Sequence, residues 1–385
     1  MNEKTVLILG GGSGGIVAAN NLQKKLGTKH KVVVVDKSDY FLFPSHLWVL
    51  TGERTKEQIT RPLFLLEKKG IKFIKENVIG INLEKKIVQT DKQVLSFDYL
   101  IIALGAELSP NEIPGLSTQN GMYNLYDVDV IPKAREAILS LKSGSIVILI
   151  ASLPFKCPAA PYEAALLSDF ILKKSGVREK IDISIYTPET LPMPTAGPIL
   201  GNAVKQIVEK RGIAFYHQHK VVKIDSEKHE IYFENQKKAY FDLLLTVPPH
   251  RAPKILEGSG LLGETGWIPV DRDTLKTKYE NVYAIGDITA IRLPNGMMLP
   301  KAGVFAEKHA QVVAQNIAAE INDQKTRVSF NGEGACFLEI GYGIAGYAKG
   351  NFYAEPAPEI HLKNPSMFWH FGKILFEKYW LWRWL

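Results

Sequence analysis

The chain is poor in cysteine. Two residues, Cys157 and Cys336, stand 179 positions apart in 385. That number excludes a disulfide framework and leaves either inert core thiols or a redox pair. No apolar run approaches the roughly 20 residues that a transmembrane helix needs. The start, MNEKTVLILGGG, enters a strand at once, without a separate apolar signal region, so folding in the cytoplasm is expected. The net charge of +7 would suit a polyanion, but there is no Lys/Arg tract and no nucleic-acid motif, so no nucleic-acid partner is expected. No metal site is expected either. A repeat of 20 to 50 residues is also missing, which argues against a solenoid. Most telling is a local absence: no glycine occurs between Gly144 and Gly176.

What is present alternates. Strand-like runs stand at 4–9, 31–37 (KVVVVDK), 71–74 (IKFI), 87–90 (IVQT) and 98–106 (DYLIIALGA). More follow at 146–151 (IVILIA), 181–187 (IDISIYT), 229–235, 240–249 and 282–289 (VYAIGDIT). Helical segments follow the first and sixth of these and fill 303–321. Such alternation predicts an α/β protein with doubly wound parallel sheets. Two Rossmann-like dinucleotide-binding domains are expected. The first is discontinuous, 1–112 with 270–325, and the second is 113–269. A C-terminal part, 326–385, is rich in glycine and aromatic residues.

Gly10-x-Gly12-x-x-Gly15 follows the first strand and opens a helix. Gly10 permits the tight turn, Gly12 lets the backbone approach a pyrophosphate, and Gly15 lets helix and strand pack closely. Asp36 ends the next strand, 21 residues after Gly15, where an acid meets a ribose hydroxyl. The segments 98-DYLIIALGA-106 and 282-VYAIGDITA-290 resemble the two further signatures of two-dinucleotide-fold flavoproteins. The resemblance implies FAD as the first nucleotide, with Gly105 where the chain crosses near the flavin and Gly286-Asp287 against its ribityl and phosphate region.

The second strand-to-helix turn would carry glycines for NAD(P)H. It reads Ser152-Leu153-Pro154-Phe155-Lys156-Cys157-Pro158 instead. Its side chains block backbone approach and its prolines remove N–H donors. The next strand ends Tyr186-Thr187-Pro188, with no acid or arginine at the place expected for an adenosine ribose, so little NAD(P)H binding is expected. Both cysteines lie in Gly- or Pro-rich turns, which favours a redox pair over buried inert thiols.

The run Cys-Pro-x-x-Pro-Tyr-Glu from Cys157 to Glu163, Gly286-Asp287, the segment Leu299 to Val304, the surroundings of Cys336 and the early 41-FLFPSHLW-48 together resemble one family. It is the sulfide:quinone oxidoreductases and flavocytochrome c sulfide dehydrogenases, and the likeness covers nearly the whole chain. It implies a flavoprotein in which hydrosulfide attacks a Cys157–Cys336 bridge. Cys157 would carry the growing persulfide, and Cys336 would form a transient adduct with the flavin. Glu163 is then a candidate proton acceptor, or simply a carboxylate favoured by the helix dipole. Lys301 would stabilise reduced flavin, or be a solvated surface lysine. The same resemblance assigns Lys37, Pro44, Val78, Ala103 and Gly303 to the FAD envelope, and Phe337 and Tyr342 to a quinone pocket. The loop at 41–46 has no cysteine, so non-covalent FAD is expected. Many quinone-reducing members carry a third cysteine that 120-NGMYNLYDVDV-130 lacks, which leaves the sulfur product and a cytochrome acceptor open.

Eight of the nineteen residues in 367–385 are aromatic, and Lys373, Lys378 and Arg383 stand among them. Such a segment suits a bilayer interface, with basic groups facing anionic lipid. A peripheral protein of the cytoplasmic membrane, meeting a membrane quinone there, is the expectation. Packing on the body or a homo-oligomer interface is the other use of this tail. Two competing functions share the fold: a type II NADH:quinone dehydrogenase, and a flavin-bound redox sensor whose cysteines form a switch.

Overall fold

A run such as KVVVVD is apolar on both faces and is stable only inside a sheet covered on both sides. The chain opens by building one. The computed structural model describes residues 2–385. The first half contributes β1 (Thr5–Leu9), α1 (Ser13–Leu26), β2 (Lys31–Asp36), β3 (Lys72–Lys75) and β4 (Tyr99–Ile102). The second half holds β5 (Met122–Asn124), β6 (Gly144–Ile150), α2 (Ala160–Lys174), β7 (Ile181–Tyr186), α3 (Pro198–Glu209), β8 (Ile213–Tyr216) and β9 (Leu243–Val247). The chain then returns to the first half as β10 (Val282–Ala284) and α4 (Gly303–Ile321).

Both halves are five-stranded parallel sheets, ordered β10-β4-β1-β2-β3 and β5-β9-β6-β7-β8. Each inserts a three-stranded antiparallel meander before its fourth chain-order strand or its counterpart, at 78–96 and at 221–240. The halves share one strand arrangement, except that the outer strand beside β4 or β9 comes last in the chain in the first half (β10) and first in the second (β5). They are joined by an antiparallel pairing of Glu107–Leu108 with His250–Arg251. Beyond it Leu256, Leu261, Trp267 and Ile268 pack with Leu7, Leu9 and Leu100 under the first sheet. The stretch 252–269 thus belongs with the first half, because its apolar residues find their partners there.

The C-terminal part adds an antiparallel sheet, β11 (Glu333–Glu339), β12 (Ala345–Asn351) and β13 (Glu359–Ser366), followed by α5 (Met367–Trp384). The last carbonyls of α5 need outside donors, as at any helix end. Asn20 Nδ2 of α1 reaches the Trp384 oxygen at 3.2 Å, and Lys69 Nζ reaches that of Arg383 at 2.9 Å. The tail helix is docked on the body.

Candidate active site

At the first turn each glycine answers a separate demand. Gly10 has φ +105°, and a Cβ there would stand 2.3 Å from the Ala103 carbonyl oxygen. A Cβ on Gly15 would stand 1.8 Å from the Gly10 oxygen. Gly12 meets nothing within 4 Å and presents bare backbone outward. Asp36 holds the Gly11 N–H at 2.5 Å and the Ser38 N–H at 2.7 Å, which fixes the turn against the end of β2. Lys37 is exposed beyond it, 3.7 Å from Glu107. Gly303 opens α4 near Ser13 and Pro44, so two helix N-termini converge beside the turn, as an anionic ligand requires. Gly105, at φ +65°, leaves open space, and Gly286 packs on Ala306. Val78 is buried in the core beneath the first sheet, which leaves only its backbone to the cleft.

Asp287 follows Gly286 and is half-buried, with its Oδ1 enclosed. Its Oδ1 has no hydrogen-bond partner, and burial raises its pKa against the pull of Lys301 and Lys156. Lys301 is buried, not a surface lysine. Its Nζ donates to the Asp287 carbonyl at 2.5 Å and lies 3.3 Å from the centre of the Trp267 ring. Burial lowers its pKa to about 7, with Asp287 opposing. An orphaned carboxylate, a bare turn and a lysine poised to gain or lose charge fit a flavin dinucleotide.

The second turn is built differently. Cys157 itself takes the left-handed conformation, φ +52°, which a non-glycine residue adopts at a cost. Its N–H donates to the Lys301 carbonyl at 2.7 Å, and the Tyr126 hydroxyl donates to the Lys156 carbonyl at 2.6 Å. The turn is thereby tied to the segment that carries Lys301. Cys336, on β11, is exposed to the cleft and its Sγ lies 3.4 Å from the Phe337 oxygen. Both cysteines are free thiols. Burial pushes the Cys157 thiol well above its usual range, with the charges of Cys336 and Glu163 adding and Lys373 opposing. Although the residue is exposed, the protein packed around its sulfur and the Glu163 charge also push the Cys336 thiol up, again opposed by Lys373. The two thiols, Glu163 and Lys373 therefore share one electrostatic neighbourhood.

Glu163 sits in the first turn of α2, buried. Its Oε1 accepts the Glu339 N–H at 2.6 Å and Lys373 Nζ at 3.0 Å. Glu339 accepts His370 Nδ1 at 2.9 Å, and its Oε2, 3.9 Å from Lys373, has no hydrogen bond. Lys373 also lies 4.9 Å from the Trp48 ring centre. Sequence reading put Lys373 at a lipid surface; the structure turns it inward, because Glu163 and Glu339 meet it there. Phe337 packs on Tyr347 at 5.1 Å and Phe376 at 6.3 Å. Tyr342 does not join it. It lies in the β11–β12 turn, against Phe170 and the Arg211 guanidinium.

Around Lys156 is a group that sequence reading missed. Its Nζ lies 5.4 Å from the Tyr126 ring centre, and that ring stands between His46, at 6.0 Å, and His250, at 5.0 Å. Burial and the Lys156 charge lower His46 to about 4 and His250 to about 3, so both are neutral at pH 7. Each has a buried Nε2 without a partner. Four separate segments supply these side chains, so no local motif announces them.

The chain matches the pyridine nucleotide-disulphide oxidoreductase family over residues 4–153 and 159–311. The five residues left between, 154–158, are the turn with Cys157. It is 28% identical to the mitochondrial sulfide:quinone oxidoreductase of Mus musculus over 92% of this chain and 80% of that one. The solved sulfide:quinone oxidoreductase of Aquifex aeolicus superposes with a TM-score of 0.88 at 25% identity, covering 99% of this chain and 91% of the other. A type II NADH:quinone oxidoreductase of Staphylococcus aureus is 23% identical over 84% of each chain.

Proposed function

The chain belongs to the pyridine nucleotide-disulphide oxidoreductase family, and within it we propose that it acts as a sulfide:quinone oxidoreductase, an FAD-dependent enzyme that oxidises hydrosulfide and reduces quinone. What supports this reading is that Cys157, on the turn where a pyridine-nucleotide site would lie, and Cys336 both come under the charges of the ion-paired Glu163 and Lys373. Lysine and glutamate there have opposite effects on the thiols, and Lys373 favours the thiolate.

In the oxidised enzyme the two cysteines form a bridge. Hydrosulfide attacks the Cys157 sulfur, a new S–S bond forms as the persulfide, and the bridge breaks. Cys336 leaves as a thiolate with the electron pair, and Lys373 compensates its charge. The proton of the incoming sulfur passes to the Glu163–Lys373 pair. Bound FAD would supply the two-electron acceptor that the cysteines lack and deliver the electrons to quinone. Gly10, Gly12, Gly15, Asp287 and the two helix N-termini would hold it, without a covalent link. Lys301 would offer positive charge at its edge.

The quinone would enter from the tail. Among the described residues no helix is long and apolar enough to cross a membrane. α5 packs Trp380, Leu381 and Trp384 on the body, but charged groups also face inward. His370, Lys373 and Glu377 face the body, where Arg54 and Ser45 hold Glu377 at 2.9 and 2.5 Å. Phe368, Phe371, Leu375, Tyr379 and Trp382, spaced three or four apart, face outward. An exposed aromatic stripe of this kind suits the headgroup level of a bilayer. Phe376 and Phe337 continue from its flank to the strand of Cys336 and would guide a quinone ring.

The test is spectroscopic. Anaerobic sulfide should bleach the flavin absorbance within the mixing time, and a quinone analogue should restore it. Bleaching by NADH and not by sulfide would sink this reading and favour the dehydrogenase.

A further inference from the structure

Beside α5 the structure leaves a groove that the redox chemistry does not use. Its volume is about 830 Å³, and it runs between the segment 54–65 and the helix. Arg54, Arg61 and Leu65 form one wall; Lys378, Leu381 and Trp382 form the other. Glu377 is also at its floor, but both of its oxygens are taken, by Arg54 and Ser45. Arg54 is thereby neutralised.

Arg61 and Lys378 are left without a carboxylate among the described residues. Arg61 uses one guanidinium nitrogen on the Gln58 and Thr60 carbonyls, at 3.2 and 2.7 Å, and the rest of its fork is uncommitted. The apolar rim continues outward on both sides. Phe64 is 54% exposed next to Leu65, and Trp382 is 78% exposed on the helix. A cation on each wall beside apolar side chains matches a ligand that is anionic at one end and aliphatic at the other.

We propose that this groove binds the phosphate of an anionic phospholipid, between Arg61 and Lys378, with an acyl chain laid along Leu65, Leu381 and Trp382. The assignment rests on the reading of α5 as an interfacial helix. It adds a defined lipid site on the flank opposite Phe376 and Phe337, so that one side of the helix holds a headgroup and the other stays open to quinone. Arginine can meet a phosphate with two parallel N–H groups, which diffuse surface charge does not offer.

The experiment is flotation of the flavin-loaded protein with vesicles of phosphatidylcholine alone, or of phosphatidylcholine with phosphatidylglycerol. Phosphatidylglycerol should tighten binding. The double variant Arg61→Gln/Lys378→Gln should lose roughly 30-fold on the mixed vesicles, at about one basic contact's worth per residue. It should lose little on phosphatidylcholine. The control Lys220→Gln/Lys237→Gln removes the same charge from the 221–240 meander region and should lose less than about threefold. Flavin absorbance and its bleaching by sulfide report that each variant is folded.

Equal losses in the two double variants would mean diffuse attraction and overturn the site. Release from mixed vesicles by millimolar inorganic phosphate, abolished in the Arg61/Lys378 variant, would mean a free-anion site and also overturn it. Equal binding to both vesicle types would overturn the headgroup site and leave the interfacial helix standing. Failure to float with either would remove the helix reading itself.

Discussion

The two strand-to-helix turns stand at equivalent places in the two sheets, and they do opposite things. At 10–15 the backbone is stripped of side chains, and Gly10 takes the positive φ. At 152–158 a cysteine takes the positive φ, and the turn is bonded to Lys301 and Tyr126. The acids after the second strands differ in the same sense. Asp36 points back at its turn and holds the Gly11 N–H. Glu189 comes three residues after the end of β7. It is buried, accepting from the Tyr162 and Thr187 hydroxyls and from the Met193 N–H. Burial raises it to about 7. One scaffold thus keeps one turn open and fills the other with side chains, Cys157 among them. The shared strand arrangement fixes where a turn is, and the residues in it decide what it holds.

The comparison breaks most sharply at Cys157. Cys157→Ser should slow sulfide-driven bleaching by about 1000-fold or more, because no bridge can form and hydrosulfide loses the sulfur it attacks. Flavin content should be unchanged, because the other turn binds it. Retained turnover in stopped flow would refute the cysteine route.

Next come the glycines. Gly15→Ala places a methyl against the Gly10 carbonyl and should cost about 3 kcal/mol or more, with loss of flavin. Gly12→Ala meets no protein atom, so stability should stay within about 0.5 kcal/mol of wild type while FAD binding weakens about tenfold. Denaturation and flavin titration of the pair separate packing from approach. If both lose stability alike, the division of labour among the glycines is wrong.

The smallest effect concerns Glu189. Its folded pKa is raised, so the native state holds a proton that the unfolded chain releases, and stability falls as pH rises from about 4.5 to about 7. Glu189→Gln should remove that fall and leave the protein about 1 to 3 kcal/mol more stable than wild type at pH 8, and little changed at pH 4. Urea midpoints at the two pH values measure it. An unchanged difference would mean that the carboxylate is not the buried acid described.

Elements whose residues speak for themselves were readable in advance. Strand 87–90 and helix 303–321 lie where the sequence puts them, and Gly10 takes the turn and Gly15 the close packing that their spacing predicts. Tyr342 was misread because nearness in sequence to Cys336 is undone by a turn that carries it to Phe170. Lys373 was misread for another reason. His370, Lys373 and Glu377 share a face by their spacing, but the rule that charge faces water points that face the wrong way. Glu189 went unread because nothing local says that Tyr162 will meet its carboxylate.

By itself the sequence determined two nucleotide-type halves, an open first turn and a closed second one, since backbone freedom and hydrophobic period are local properties. Only the tertiary structure decided that Cys157 and Cys336 share the field of Glu163 and Lys373, and that α5 turns His370, Lys373 and Glu377 inward while Phe368, Phe371, Tyr379 and Trp382 stay outside. Those outcomes depend on partners brought from 163, 339, 45 and 54 to one place, and the distance along a chain does not encode which groups will meet across it.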